Sequence, residues 1–255
     1  MTINSAHVRH YRQQLRDAPT TAAALARELG DGLRAVASYN DPDLTAEALR
    51  NRRADRREAF MAEAQQRVPG YRSGFERARD YLLTEAKTHT QFPAGDVAAV
   101  VIATQKWNGI VRMIDAGAPL GRLISGVTDV PTLLAIAEYG PMLAAADSYK
   151  EPEMSDRLVA DSMAGRQSDP LAGGAWVQDA VWSRIAEVTP DSALAELLNG
   201  ALEAGPLYAI ADPLLQAAEN YATHGSADVL SAQIQSDLAK QEYTPRPDGA
   251  EAAAA

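Results

Sequence analysis

Apolar residues recur three and four positions apart along most of this 255-residue chain. The spacing is clearest in two stretches: Leu25, Leu29, Leu33 and Val36, and later Val177, Val181, Ile185 and Val188. This period matches one face of an α-helix, whereas a half-buried strand would alternate apolar and polar residues. Alanine, which has the lowest cost in a helix, fills 50 of the positions. The sequence therefore predicts an all-α protein without strands.

The N-terminal part predicts a helical hairpin. Residues 20–39 show helical spacing, with Thr20 or Thr21 available as the cap. The turn-forming residues 40–43 separate this helix from a second, highly charged helix over residues 45–68. Two helices joined by so short a turn are expected to pack antiparallel.

Proline and glycine predict where the hairpin ends. Pro69 and Gly70 are expected to terminate the second helix, and a third helix is predicted over residues 71–88. A polar stretch follows it and predicts a domain boundary. The sequence thus predicts three segments: an N-terminal domain of residues 1–88, a larger acidic, alanine-rich multi-helix domain of residues 89–243, and a disordered tail of residues 244–255.

The second predicted domain consists of shorter helices separated by proline and glycine. Its predicted helices cover residues 94–116, 128–149 and 176–188, and a last one follows Gly225 and ends near Tyr243. Pro141 is expected to kink or end the second of these. Pro190, Pro206 and Pro213 are expected to divide the apolar region before the last helix.

Composition restricts the environment of the chain. It contains no cysteine, which excludes disulfides and thiol nucleophiles and favours a reducing compartment. The N-terminus has charged residues where a signal peptide would be apolar, and the longest apolar run, residues 97–103, is too short to span a membrane. We expect a protein of the cytoplasm, or of a virion if it is phage-encoded, with no membrane contact.

Charge is distributed unevenly along the chain. Residues 1–88 hold 15 basic and 12 acidic side chains, whereas residues 89–255 hold 9 basic and 22 acidic ones. The two parts therefore carry net charges of +3 and −13, within a total of −10. Phosphate repulsion opposes the docking of nucleic acid on so acidic a protein, so a nucleic-acid partner is not expected.

Catalytic and cofactor motifs are missing from the sequence. Neither GxxxxGK[ST] nor GxGxxG occurs, and Ser125 lacks the first glycine of a GxSxG elbow. Glu151 and Glu153 fall in a stretch expected to be exposed, where desolvation cannot raise a carboxylate pKa as acid catalysis requires. We expect no enzyme activity and no cofactor. An all-α enzyme that uses carboxylates and tyrosines of the second domain is kept as a third hypothesis.

Two patterns suggest metal binding, but both have simpler explanations. His7 and His10 are three apart, yet the other two histidines are distant in sequence, and zinc needs further ligands. Residues 41–45 resemble the start of an EF-hand loop, but Ala46 and Arg52 stand where glycine and glutamate are required. We interpret residues 41–45 as a helix cap and the two histidines as a chance pair, and we predict no metal site.

A segment near the N-terminus is similar to the first helix of a helix-turn-helix motif. Residues 21–30 read TAAALARELG and end in the glycine expected at the turn. A recognition helix would then begin with polar base-reading residues, whereas residues 31–36 continue the same helical pattern. The sequence therefore favours one continuous helix over a DNA-reading motif.

The most unusual stretch holds five arginines in eight positions: Arg50, Arg52, Arg53, Arg56 and Arg57, here named the arginine cluster. On a helix, two pairs of these arginines face each other at i,i+4, and each such repulsion costs a few tenths of a kcal/mol. One interpretation is a solvated face, partly compensated by nearby Asp55 and Glu47. The other is a docking surface for an acidic partner, because guanidinium groups bind carboxylates and phosphates in a bidentate way.

Two stretches carry a family resemblance. DPDLT at residues 41–45, followed by an Arg/Ala/Glu helix, and TDVPTLLA at residues 128–135 resemble helical virion-structure or assembly proteins of actinobacterial phages. The resemblance implies a non-catalytic structural or assembly protein, such as a capsid or head-associated component, that binds other protein subunits as a homo-oligomer or larger assembly. The alternative hypothesis is a regulatory adaptor with a helix-turn-helix-like N-terminal segment.

Overall fold

The computed structural model of this chain describes residues 2–92, 95–148 and 172–246. Helices include 85% of these residues, and no strand occurs among them, which confirms the predicted all-α class. The described part of the chain forms eight α-helices: α1 Ser5–Ser38, α2 Ala46–Thr90, α3 Val97–Asp115, α4 Leu120–Gly126, α5 Val130–Ser148, α6 Ala175–Val188, α7 Ser192–His224 and α8 Val229–Glu242. A 3₁₀ turn, Ala172–Gly174, precedes α6.

The first two helices form the predicted antiparallel hairpin. Glu28 of α1 pairs with Arg67 of α2 at 3.0 Å, and the Tyr39 carbonyl beyond the end of α1 accepts a hydrogen bond from Arg53 near the start of α2. Contacts thus run in opposite directions along the two helices. The predicted capping residue Thr45 accepts a hydrogen bond from the Ala48 N–H at 3.2 Å, which satisfies one of the free donors of the first turn.

The predicted start of α1 is wrong. The helix begins at Ser5 and includes Pro19, rather than beginning at Thr20 or Thr21. One buried stripe extends along α1 from residue 8 to residue 30 and includes Val8, Leu15, Ala18, Ala22, Leu25 and Leu29. Because this stripe is continuous on both sides of Pro19, packing retains the helix despite the missing N–H.

The predicted break at Pro69 and Gly70 is also wrong. A single helix, α2, extends for 45 residues through both positions. Its buried positions keep one face across the proline: Ala64, Val68, Phe75, Ala78 and Leu82. An interior proline costs about 3 kcal/mol, whereas each large buried apolar side chain contributes about 1.5–3 kcal/mol. Several such side chains together outweigh the proline.

We expect Pro69→Ala to stabilise the protein. Pro69 is exposed, so its ring contributes little packing, and alanine restores one main-chain hydrogen bond of α2. Removing the proline is expected to raise the free energy of unfolding by at most about 3 kcal/mol. The greater freedom of the unfolded chain with alanine lowers this gain by about 0.4–1 kcal/mol. Urea unfolding followed by circular dichroism measures it. An unchanged or lower midpoint would mean that the packing of α2 requires the geometry that proline imposes.

The expected interruptions at Pro206 and Pro213 do not occur either. Both prolines lie inside α7, which runs from Ser192 to His224. Leu207, Ile210 and Leu214 are buried beside them, so the same physical reason applies as in α2. The limits of α6 agree with the sequence to within one residue, and α5 continues through Pro141 as far as Ser148.

The chain divides into two compact units. Among the described residues, the unit named here the hairpin unit combines residues 6–83 with residues 203–246, and the second unit contains residues 2–5 and the described part of 84–202. This division differs from the sequence-based limits of 1–88 and 89–243, because long-range contacts join the end of α7 and α8 to the hairpin. Residues 244–246 of the predicted tail belong to the hairpin unit, and residues 247–255 lie outside the described residues.

Each unit has its own apolar core. Leu15, Leu29, Leu82 and Leu215 are fully buried in the hairpin unit, and Leu133, Ile136, Ile185 and Leu197 in the second unit. In the second unit, the indole N–H of Trp182 also donates to the Thr90 hydroxyl at 3.0 Å. This buried hydrogen bond fastens α6 to the end of α2.

Candidate functional site

The arginine cluster lies in the first turns of α2, within the hairpin unit. Arg50, Arg52, Arg56 and Arg57 are exposed, and Arg53 is half-buried. At about 100° per residue, all five project from roughly half of the helix circumference. The cluster is therefore one continuous basic surface, as the sequence suggested.

Three members of the cluster are held in place by neutral partners. The Arg53 Nε donates to the Tyr39 carbonyl oxygen at 2.7 Å, and the Arg56 guanidinium lies 3.7 Å from the centre of the Tyr39 ring. The Arg57 Nη2 donates to the His224 carbonyl oxygen at 3.3 Å. Carbonyl dipoles and an aromatic face orient these guanidinium groups but do not cancel their charge.

The described residues provide no carboxylate for the cluster. No Asp or Glu oxygen of residues 2–92, 95–148 or 172–246 lies within ion-pair distance of any of its five arginines. Asp55 and Glu47, which the sequence offered as compensation, form no ion pair with it in this part of the chain. The described structure thus shows no direct ion pair for that compensation, and both interpretations, the solvated face and the docking surface, stay predictions.

Arginines farther along α2 show the contrast. Arg67 binds both carboxylate oxygens of Glu28, at 3.0 and 3.3 Å. Arg72 bridges Asp212 at 2.6 Å and Glu219 at 2.5 Å. These arginines serve the fold of the hairpin unit by joining α2 to α1 and α7. The arginine cluster at the start of the same helix makes no ion pair among the described residues, and its contacts with neighbouring segments are the bonds of Arg53 and Arg57 to carbonyl oxygens and the packing of Arg56 on the Tyr39 ring.

A cavity of about 680 Å³ opens beside the cluster. Arg53 and Arg57 line it together with Arg34 from the last part of α1. Apolar side chains, including Leu33 and Val36, form another part of the wall. Cationic and apolar groups thus face the same space within the hairpin unit.

An exposed apolar stripe lies on α8. Leu230 is 73% exposed, Ile234 53% and Leu238 57%, and their i, i+4, i+8 spacing places them on one face. The buried face of this helix instead carries the small residues Ala232 and Ser236. Exposed stripes of large aliphatic residues are typical of protein-protein contact surfaces.

The helix-turn-helix pattern has no turn. Residues 21–30 lie in the middle of α1, which continues through Gly32 to Ser38. A Cβ at Gly32 would lie 2.3 Å from the nearest ring carbon of Phe60 in α2, so this glycine serves close packing of the hairpin. The DNA-reading version of the adaptor hypothesis has no structural basis in this segment.

The candidate metal ligands have local roles. His7 lies 6.5 Å from Tyr11 and 6.4 Å from Tyr81, measured between ring centres. Asp41 accepts hydrogen bonds from the Asp43 N–H and from the Tyr39 hydroxyl, as expected of a turn residue. Within the described ranges, no three His, Asp or Glu side chains are grouped so that they could hold a metal ion.

The remaining candidate catalytic residues of the sequence are Ser125, Glu151 and Glu153. The Ser125 hydroxyl donates to the Arg122 carbonyl oxygen at the end of the short helix α4, which fits the interpretation as a helix-end residue. Glu151 and Glu153 lie outside the described residues.

A buried ionic cluster escaped the sequence reasoning. Glu203, 1% exposed, accepts hydrogen bonds from Arg12 at 2.7 Å and Arg16 at 3.1 Å. The Tyr243 hydroxyl and the Arg246 N–H donate to its Oε1 at 3.2 and 2.8 Å. Arg12 is 191 positions from Glu203, and Tyr243 and Arg246 follow the last helix. No local sequence pattern therefore predicts that these residues contact one another.

The hydrogen bonds around Glu203 also determine its acidity. Burial by itself would raise the pKa of this carboxyl group. The donors Arg12 and Arg16, together with the Arg246 N–H, outweigh that effect and hold the pKa below its usual range. Glu203 is therefore the charged centre of a structural cluster in the hairpin unit.

No helix in the described part of the chain is both long and apolar enough to cross a membrane. No protein family, curated protein or solved structure matches the chain. Indications of function therefore come from the arginine cluster and the cavity beside it.

Proposed function

We propose that this chain is a non-catalytic structural or assembly protein whose arginine cluster docks an acidic surface of another protein subunit. One observation carries the proposal. Five arginines share one surface of α2, and no carboxylate of the described residues neutralises them. A guanidinium group retains its charge at any physiological pH and binds carboxylates through paired hydrogen bonds.

The partner that fits best is a second copy of the same chain. Residues 89–255 carry a net charge of −13, so every copy brings both the basic cluster and an excess of acidic groups. Complementary surfaces of this kind steer association and determine its orientation. The exposed stripe of Leu230, Ile234 and Leu238 supports the proposal by offering apolar contact area.

The resemblance to virion proteins extends the proposal. DPDLT at residues 41–45 lies at the turn that leads into α2, immediately before the arginine cluster. Its likeness to helical proteins of actinobacterial phages supports a role in a capsid or in a head-associated assembly. Such a component would act through repeated helical interfaces rather than through chemistry.

The proposal predicts self-association that weakens with salt. Between about 0.01 M and about 1 M salt, the Debye length falls from about 30 Å to about 3 Å, which screens exposed charge pairs. Light scattering after size exclusion is expected to give multiples of 27.3 kDa at low salt and 27.3 kDa at high salt. A 27.3 kDa monomer at both salt concentrations would contradict the proposal.

The double variant Arg50→Ala/Arg52→Ala tests the docking surface directly. Neither side chain has a hydrogen bond or ion pair among the described residues, so the variant is expected to leave the fold unchanged. At about 0.2–1 kcal/mol for each exposed pair, the dissociation constant is expected to rise about 2- to 30-fold. Arg27→Ala/Arg122→Ala removes the same charge from exposed positions outside the cluster and serves as the control. Equal weakening by both double variants would show a general effect of net charge and not docking at the cluster.

A further inference from the structure

The cavity beside the arginine cluster combines two kinds of wall. Leu33, Val36 and Ala37 of α1 present apolar surface, and Arg53 and Arg57 of α2 present cations at i,i+4. None of the described residues that line the cavity is acidic. Its volume of about 680 Å³ falls within the range of about 300–1,000 Å³ usual for small-molecule sites.

Among the described residues, no carboxylate forms an ion pair with the two cations of this wall. Arg34, the third arginine of the lining, pairs with Asp31 on its own helix. Arg53 and Arg57 instead bind the carbonyl oxygens of Tyr39 and His224, which are neutral acceptors. An anion that entered the cavity would therefore meet two guanidinium groups already held in place.

A glycine turn positions one of them. Gly225 has a φ of +69°, a conformation that glycine adopts without strain. A Cβ at this position would collide with the guanidinium of Arg57. The absence of a side chain at Gly225 thus allows Arg57 to lie against the turn and reach the His224 carbonyl.

We propose that this cavity binds a small amphipathic anion, a carboxylate on an unbranched hydrocarbon chain. The carboxylate accepts hydrogen bonds from Arg53 and Arg57, because the planar guanidinium group suits a carboxylate. The hydrocarbon chain lies against Leu33, Val36 and Ala37. The site uses two arginines of the docking surface but goes beyond protein docking, since its ligand is a small molecule.

Calorimetric titration of the full chain with hexanoate, octanoate and decanoate tests the proposal. Each added methylene group that is buried is expected to lower the dissociation constant about fourfold. Octanoate is therefore expected to bind about sixteenfold more tightly than hexanoate. 1-Octanol is the matched neutral ligand and is expected to bind at least about tenfold more weakly than octanoate, because it lacks the charge. Equal affinity for octanol and octanoate, or no dependence on chain length, would overturn the proposal.

Variants and methyl spectra locate the site. Arg53→Gln/Arg57→Gln is expected to weaken octanoate binding at least about tenfold, whereas Arg50→Gln/Arg52→Gln, with the same charge change outside the cavity, retains it. In wild-type protein, octanoate is expected to shift the methyl resonances of Leu33 and Val36. Shifts confined to Leu230, Ile234 and Leu238 would place the ligand on the exposed stripe and overturn the proposal, even if the double glutamine variant failed to fold.

The outcome is separable from that of subunit docking. Self-association that depends on salt, together with no octanoate binding in the cavity, would remove only the ligand site. Octanoate binding by a chain that is monomeric at every salt concentration would support the ligand site and remove only the docking proposal.

Discussion

Glu203→Ala is expected to lower the free energy of unfolding by about 3–5 kcal/mol, the usual cost of removing one partner from a buried ion pair. Glu203 is 1% exposed and Arg12 3% exposed, so the variant leaves a guanidinium group buried without its carboxylate. It also removes the acceptor that binds Arg16, the Tyr243 hydroxyl and the Arg246 N–H. Urea unfolding followed by circular dichroism at neutral pH measures the loss.

The matched control is Glu242→Ala. Glu242 is an exposed acid at the end of α8, so its removal is expected to change the free energy of unfolding by less than about 0.5 kcal/mol. Equal stability of the two variants would show that Glu203 is better hydrated than its burial indicates. That result would contradict its role as the anchor of the C-terminal segment.

The same cluster predicts a dependence on pH. Because the folded-state pKa of Glu203 is lowered, its contribution is fully present above the unfolded pKa of about 4.3 and is lost as pH falls through the folded value. Glu203→Gln cannot titrate at this position. The stability difference between wild type and Glu203→Gln is therefore expected to be constant near neutral pH and to shrink below about pH 4. A difference that grew with acidification would have the wrong sign.

Gly174→Ala is expected to destabilise the second unit by about 1–3 kcal/mol or more, the range for forcing atoms into a packed site. Gly174 ends the 3₁₀ turn before α6. A Cβ there would collide with the carbonyl oxygen of Pro141 in α5 and lie 2.8 Å from its carbon. These are backbone atoms inside a helix, so they cannot move aside as a flexible side chain could.

Hydrogen exchange read by mass spectrometry localises the effect of Gly174→Ala. Faster exchange is expected in α5 and α6, with α1 changed less. Gly109→Ala is the control, because nothing lies near the added methyl group and alanine is favoured over glycine inside a helix by about 1 kcal/mol. The Gly109→Ala variant is expected to have a higher midpoint of thermal unfolding than the wild type. If Gly174→Ala unfolds at the same temperature as wild type, the contact between the turn and α5 is looser than the structure indicates.

The class of the fold followed from short-range physics that the sequence displays. Helical spacing in α6 arises from Val177, Val181 and Ile185, whose side chains share one face because of the period of the helix itself. The start of α2 was equally predictable, because the hydroxyl of Thr45 satisfies a nearby backbone donor without help from the rest of the chain. The arginine cluster could be found for the same reason, since its five members are near neighbours in sequence.

The tertiary structure decided which breaks in the pattern matter. Pro19, Pro69, Pro206 and Pro213 carry the same local cost that sequence reasoning assigned to them, yet α1, α2 and α7 run through them. The opposing energy comes from buried stripes that face other helices, and this energy cannot be read from a proline and its neighbours. Tertiary contacts also distinguished Arg72, which pairs with Asp212, from the arginine cluster, which forms no ion pair among the described residues.

Long-range contacts supplied the remaining features. Arg12 and Glu203 are 191 positions apart and lie on helices whose local sequences give no sign that they meet. The cavity likewise requires α1, α2 and the turn at Gly225 together, because no single segment encloses it. The sequence by itself determined the all-α class, the start of α2 after the cap Thr45 and the position of the basic cluster, since those depend on neighbours within a few residues. Only the tertiary structure decided which charges are neutralised, because ion pairing depends on distance in space rather than along the chain.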